Sequence, residues 1–78
     1  MEKPEILSKI QQILKEQLNV QIEITEDTAL LNESLLDSLE FMNYITMVEE
    51  VFGVSISDDD IATYQLGIIK NMVDYLSK

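Results

Sequence analysis

The chain predicts a small all-α bundle of three longer helices and one short one, with a long ordered connection after the first helix. Three observations carry this. Apolar residues recur at helical spacing in three separate stretches. Two of the predicted helices open on a side-chain cap with carboxylates in the first turn. The 78 residues, 46% of them hydrophobic, suffice for one core, hence a single domain over residues 1–78.

The first helix is expected to begin near Pro4, which a first turn tolerates. Its stripe runs Ile6, Leu7, Ile10, Ile13, Leu14 and Leu18, the spacing of one buried face, with Asn19 as terminator. In residues 20–36, Val20, Ile22 and Ile24 alternate with Gln21 and Glu23 as in a strand, yet no later segment offers a partner. The stretch therefore reads as a connection whose Ile22, Ile24, Leu30 and Leu31 insert into the core. Its length suggests a function. The second helix, about residues 38–52, presents Phe41, Tyr44, Ile45, Val48, Val51 and Phe52 and stops at Gly53. Val54 and Ile56 lead to Ser57-Asp58-Asp59-Asp60, a hydroxyl cap with acidic first turn for a short third helix. A last helix, about residues 68–77, shows Ile69, Met72, Val73 and Leu76 on one face.

The net charge of −10 is unevenly spread. Residues 1–20 balance, with Lys3, Lys9 and Lys15 against Glu2, Glu5 and Glu16. Residues 21–60 hold eleven carboxylates and no lysine or arginine. Such a field repels nucleic acid and speeds encounters with basic protein surfaces. Acidity alone aids solubility, but solubility does not require one end to be neutral. The segregation points to recognition.

Other classes fall away on composition. No run approaches the roughly 20 apolar residues of a membrane span, and Met1-Glu2-Lys3-Pro4 is not followed by the apolar stretch of a signal peptide. A cytosolic protein is expected. With no cysteine and no histidine, there is no disulfide framework, no thiolate metal site and no thiol or imidazole for catalysis. Gly53 and Gly67 are the only glycines, too few for a phosphate-cradling loop. The chain is not expected to be an enzyme.

One run stands apart: Leu36-Asp37-Ser38-Leu39-Glu40-Phe41. Asp37 is suited to cap the second helix, with Glu40 reciprocating as in a capping box. Ser38 then falls in the first turn, outside the apolar stripe, where its oxygen meets solvent. A phosphate esterified there would face free backbone N–H groups and the positive end of the helix dipole.

With these elements in place, the chain resembles the acyl carrier protein family, which includes peptidyl and D-alanyl carriers. The resemblance covers nearly the whole chain. It rests on Asp37-Ser38-Leu39 with Glu40 next, on Met47-Val48-Glu49-Glu50-Val51-Phe52-Gly53-Val54, on Ile56-Ser57-Asp58-Asp59-Asp60 and on Val73-Asp74-Tyr75-Leu76. The fold implied is an acyl-carrier-type bundle. Ser38 would be the attachment point for 4′-phosphopantetheine, moved from coenzyme A by a phosphopantetheinyl transferase, with Asp37 helping to hold that enzyme and its metal-bound coenzyme A. Cargo would travel as a thioester on the arm's thiol. A protein without cysteine can offer a thiol only that way. Leu39 and Met42 would be apolar contacts for acyl-loading and acyl-processing enzymes, and Glu40, Glu49 and Glu50 would meet their basic surfaces. The resemblance implies a monomeric carrier in fatty acid, polyketide or another specialised biosynthesis. Ser34, which also follows a carboxylate, lacks the Asp-Ser-Leu context.

The chain departs from the fatty-acid type at Leu35-Leu36, at Asn43 and Thr46, and in a longer stretch from Asp60 to Ile69. These departures bear on cargo rather than attachment. Two rivals remain on the residues alone. One is an acidic interaction module without prosthetic group. The other is a cation sensor on Asp58-Asp59-Asp60, which lacks the alternating ligands and central glycine of a calcium loop. No metal site is expected.

Overall fold

The computed structural model describes residues 2–31 and 35–77. It is all-helical: α1 spans Lys3–Glu16, α2 Ser38–Phe52, α3 Asp58–Thr63 and α4 Ile69–Leu76. α1 packs against both α2 and α4. Its buried face is Ile6, Ile10, Ile13 and Leu14, as the spacing predicts. Phe41, Tyr44, Ile45 and Val48 of α2 meet it with Ile69, Met72 and Val73 of α4. Each fully buried aliphatic side chain there is worth about 1.5–3 kcal/mol of hydrophobic transfer, so this three-helix seam holds the molecule together.

The ends of the helices follow local chemistry. α1 closes where Asn19 adopts φ 57°, which lets the Val20 N–H reach the Leu14 carbonyl at 2.9 Å. α2 stops at Gly53, φ 66°, and the Val54 N–H returns to the Glu49 carbonyl. Glycine takes this left-handed conformation without steric cost. α3 is capped by Ser57, whose Oγ accepts from the Asp60 N–H at 3.1 Å.

The connection between α1 and α2 resolves the strand-like alternation. Among the described residues there is no sheet, only an isolated bridge between Ala29 and Ile68. The Leu30 N–H donates to the Gly67 carbonyl at 2.8 Å. In return the Ile69 and Lys70 N–H groups donate to the carbonyls of Thr28 and Glu26. Ile68, at the N-cap of α4, has no side-chain cap, so the connection supplies acceptors for the orphan amides of that helix. Gln11 of α1 anchors the same segment through the Ile24 carbonyl, and Thr28 is buried with its hydroxyl accepting from the Thr25 N–H.

Three core assignments need correction. Ile24 and Leu30 are buried as expected, but Ile22 is 51% exposed and Leu31 is also exposed. The connection buries Val20, Ile24, Thr28, Leu30 and Leu36, so the burial does not follow the strand-like alternation. Val51 likewise lies outside the core: it is 49% exposed, because the seam with α1 follows Tyr44, Ile45 and Val48.

Candidate functional site

Asp37 has extended backbone, φ −82° and ψ −178°, and its Oδ1 accepts from the Glu40 N–H at 2.8 Å. Glu40 Oε1 accepts from the Asp37 N–H at 3.3 Å, completing the reciprocal cap. The Phe41 N–H closes on the Asp37 carbonyl. Both carboxylates of the motif therefore bond the helix start. The first-turn amides of Ser38 and Leu39 precede any intrahelical acceptor. Ser38 is exposed at that position. A phosphoester on its oxygen would face these first-turn amides and the positive end of a 15-residue helix.

Around Ser38 the surface is mixed. Leu39 is 72% exposed and Met42 45%, far more than core residues of their size. Glu50 projects into solvent. Glu49 differs: it is half buried, and its Oε2 accepts from the Ile56 N–H at 2.7 Å. One of its oxygens thus ties the α2–α3 link in place. Asn43 and Thr46 are exposed, with the Thr46 hydroxyl donating to the Met42 carbonyl. Ser34 and Glu33 lie outside the described residues. Among the described residues no cluster of His, Cys, Asp or Glu has metal-binding geometry, and no helix is long and apolar enough to cross a membrane.

The structure adds a feature that spacing did not reveal. A cavity of about 450 Å³ is lined by Ala29 and Leu31 of the connection, Phe41 of α2, Ile61 and Ala62 of α3, and Gln65, Gly67 and Ile68 beyond it. Phe41 follows Ser38 by three residues, so both lie on one side of α2. One wall of the cavity therefore lies within a single helical turn of Ser38. One of its walls, α3, contributes no fully buried residue. It is fastened instead by the Tyr75 hydroxyl, which donates to Asp60 Oδ2 at 2.6 Å, and by the Glu49 link. That bond to Asp60 pushes the Tyr75 hydroxyl up to about 12. Behind Phe41, with ring centroids 5.9 Å apart, lies Tyr44, fully buried with no hydrogen-bond partner for its hydroxyl. An unmade hydrogen bond in the interior costs about 1–3 kcal/mol.

The phosphopantetheine attachment site family matches residues 8–76, from the second turn of α1 to the end of α4. The chain belongs to this family. Curated acyl carrier proteins align along nearly the full length. That of Guillardia theta is 34% identical, covering 100% of this chain and 95% of its own. That of Coprothermobacter proteolyticus is 35% identical, covering 97% and 92%, and that of Thermotoga maritima 31%, covering 95% and 90%. No solved structure gives a significant match. The family carries 4′-phosphopantetheine, and the residues fit it: an exposed hydroxyl at a helix start beside first-turn amides would suit a phosphoester, and the chain has no cysteine thiol to compete. A phosphopantetheine carrier role follows for this chain.

Proposed function

We propose that the protein tethers acyl or aminoacyl groups as thioesters on a 4′-phosphopantetheine arm at Ser38 and delivers them to partner enzymes in fatty acid, polyketide or another specialised biosynthesis. The observation that supports this best is the exposure of Ser38 at the capped start of α2, beside unpaired amides. The arm supplies the thiol that holds the cargo. The chain's own residues hold its base, position it beside the cavity and meet the enzymes. On this reading Asp37 helps to seat the phosphopantetheinyl transferase. Leu39 and Met42 form the apolar centre of the partner contact, and Glu40, Glu49 and Glu50 draw basic surfaces toward it. The setting is the cytosol, and the net charge of −10 disfavours self-association, so the carrier works as a monomer. A tethered arm raises the local concentration of cargo at each enzyme while weak charged contacts allow rapid exchange.

Incubation with coenzyme A and a broad-specificity transferase is expected to add one phosphopantetheine, mapped by peptide mass to Ser38. Ser38→Ala is expected to abolish loading and leave the helical circular dichroism unchanged, since an exposed first-turn position tolerates alanine. No addition, or addition at Ser34, defeats the reading. An acidic interaction module would gain no group at all.

A further inference from the structure

Away from Ser38, a groove of about 490 Å³ opens between α1 and α2. Its walls include Lys9, Ile13 and Glu16 of α1 and Met47, Glu50 and Val51 of α2. Both sets follow three- and four-residue spacing, so each helix gives the groove one continuous edge. From Lys9 to Glu16 that edge runs about 10 Å, or about two turns. Met47 follows Ser38 by nine residues, about two and a half turns, and Val51 stands in the same relation to Met42. The groove therefore lies on the opposite flank of α2 from the attachment serine, with Met47 about 14 Å farther along the axis.

Its floor is apolar. Ile13 is buried, Met47 is half-buried, and Val51 is exposed although it falls on the apolar stripe of α2. The rim is charged. Among the described residues neither Glu16 nor Glu50 forms an ion pair, even though Lys9 lines the same groove. The Lys9 ammonium sits 5.9 Å from the centroid of the Phe52 ring. An exposed valine beside two uncommitted carboxylates is complementary to a surface that sets an aliphatic side chain beside a cation. Two helices flank the groove, so it offers no strand edge to an extended peptide, whereas a helix laid along it meets both edges. Arginine suits the carboxylates better than lysine, because its planar fork is weakly hydrated and matches carboxylate geometry.

We propose that the α1–α2 groove is a second docking surface whose occupant is an amphipathic helix of a partner protein. That helix lays an aliphatic side chain on Met47 and Val51 and an arginine against Glu16 and Glu50. A carrier held by this face keeps Ser38 open, and the proposal does not depend on attachment there.

The test uses the chain without its arm, so failure of this proposal and failure of attachment at Ser38 are read separately. A phage-displayed library on a stable helical scaffold, with one face randomised, is selected against wild type. Enriched helices are expected to carry an aliphatic residue and an arginine three or four positions apart. Amide NMR shifts on binding are expected to map to Lys9, Glu16, Met47, Glu50 and Val51. Val51→Asp is expected to raise Kd about tenfold or more, by placing a charge on the apolar contact. Glu16→Gln is expected to raise it about two- to fivefold, as loss of an exposed ion pair does. Both positions are exposed, so circular dichroism should be unchanged. No enrichment, enrichment of acidic helices, shifts centred on Leu39 and Met42, or unchanged Kd in both variants overturns the proposal. A dimer of the chain in sedimentation that Val51→Asp dissolves assigns the groove to a second copy and overturns the partner helix.

Discussion

α3 and α4 are both short, six and eight residues, yet they are attached by different physics. α4 buries Ile69, Met72 and Val73 against α1, and its first amides are satisfied by the carbonyls of Thr28 and Glu26. An ion pair between Lys3 and Asp74, with Nζ and Oδ1 2.8 Å apart, adds an exposed clasp. α3 buries nothing completely. It is held by polar bonds at its two sides, Glu49 to the Ile56 N–H and Tyr75 to Asp60, with Ile61 half buried beneath. Hydrophobic burial is distributed over many contacts, whereas two hydrogen bonds can be exchanged one at a time. The difference teaches which part is frame and which is cover. The frame is α1, α2 and α4; the cover is α3, which walls the cavity beside Ser38.

Truncation of the two regions gives the widest contrast. Leu14→Ala, in the fully buried seam, is expected to cost about 2–5 kcal/mol in urea unfolding, as deletion of a packed aliphatic side chain does. Ile61→Ala is expected to stay within about 1 kcal/mol, since its site is half open. Similar losses at both positions would erase the distinction between frame and cover.

Alkaline titration isolates the fastening of α3. The Tyr75 hydroxyl is raised above its ordinary 10.0 to about 12 by its bond to Asp60. A group whose folded value is raised contributes fully below the unfolded value and loses that contribution as pH climbs through the folded one. Stability is therefore expected to fall between about pH 10 and 12, with buried Tyr44 adding to the loss as it is forced to ionise. Tyr75→Phe should lower Tm below pH 9, where the bond contributes in full, and flatten part of the alkaline slope, both measured as Tm against pH. An unaltered alkaline slope in the variant would show that α3 is held by something other than this bond.

The smallest effect expected is that of salt. The eleven carboxylates of residues 21–60 have no lysine or arginine in that span. The Lys3–Asp74 pair lies between α1 and α4, and Lys9 sits 5.9 Å from the centroid of the Phe52 ring. Repulsion on the α2–α3 side should thus be relieved by screening. A rise in Tm of a few degrees from low to physiological salt is expected, larger with divalent cations. A flat response would mean the acidic side is already neutralised within the fold.

Much was legible in the sequence because it is local. A cap needs only Asp37 and Glu40 three residues apart, a stop needs only Gly53, and a buried face needs only the repeat of Ile6, Ile10, Ile13 and Leu14. The exposure of Ser38 followed from the same geometry, since a first-turn residue off the stripe faces outward. The connection was harder. Val20, Ile22 and Ile24 carry the alternation of a strand, and nothing within reach in the sequence says that the pairing partner of Ala29 is Ile68. Ile22 and Leu31 were assigned inward for the same reason: hydrophobicity marks a candidate for burial, while backbone pairing fixes which way it turns.

By itself, then, the sequence determined the helices, their ends, the placement of charge and the hydroxyl at the mouth of α2, all set by contacts within a few residues. Only the tertiary structure decided the cavity beside Ser38, because its walls come from four separate segments. The bond from Tyr75 to Asp60, the diversion of Glu49 to the Ile56 N–H and the isolation of the Tyr44 hydroxyl likewise depend on segments that meet only when the core closes. Those three were invisible to periodicity because a period records which face of a helix is apolar. It does not record which group on the facing segment will satisfy a particular oxygen.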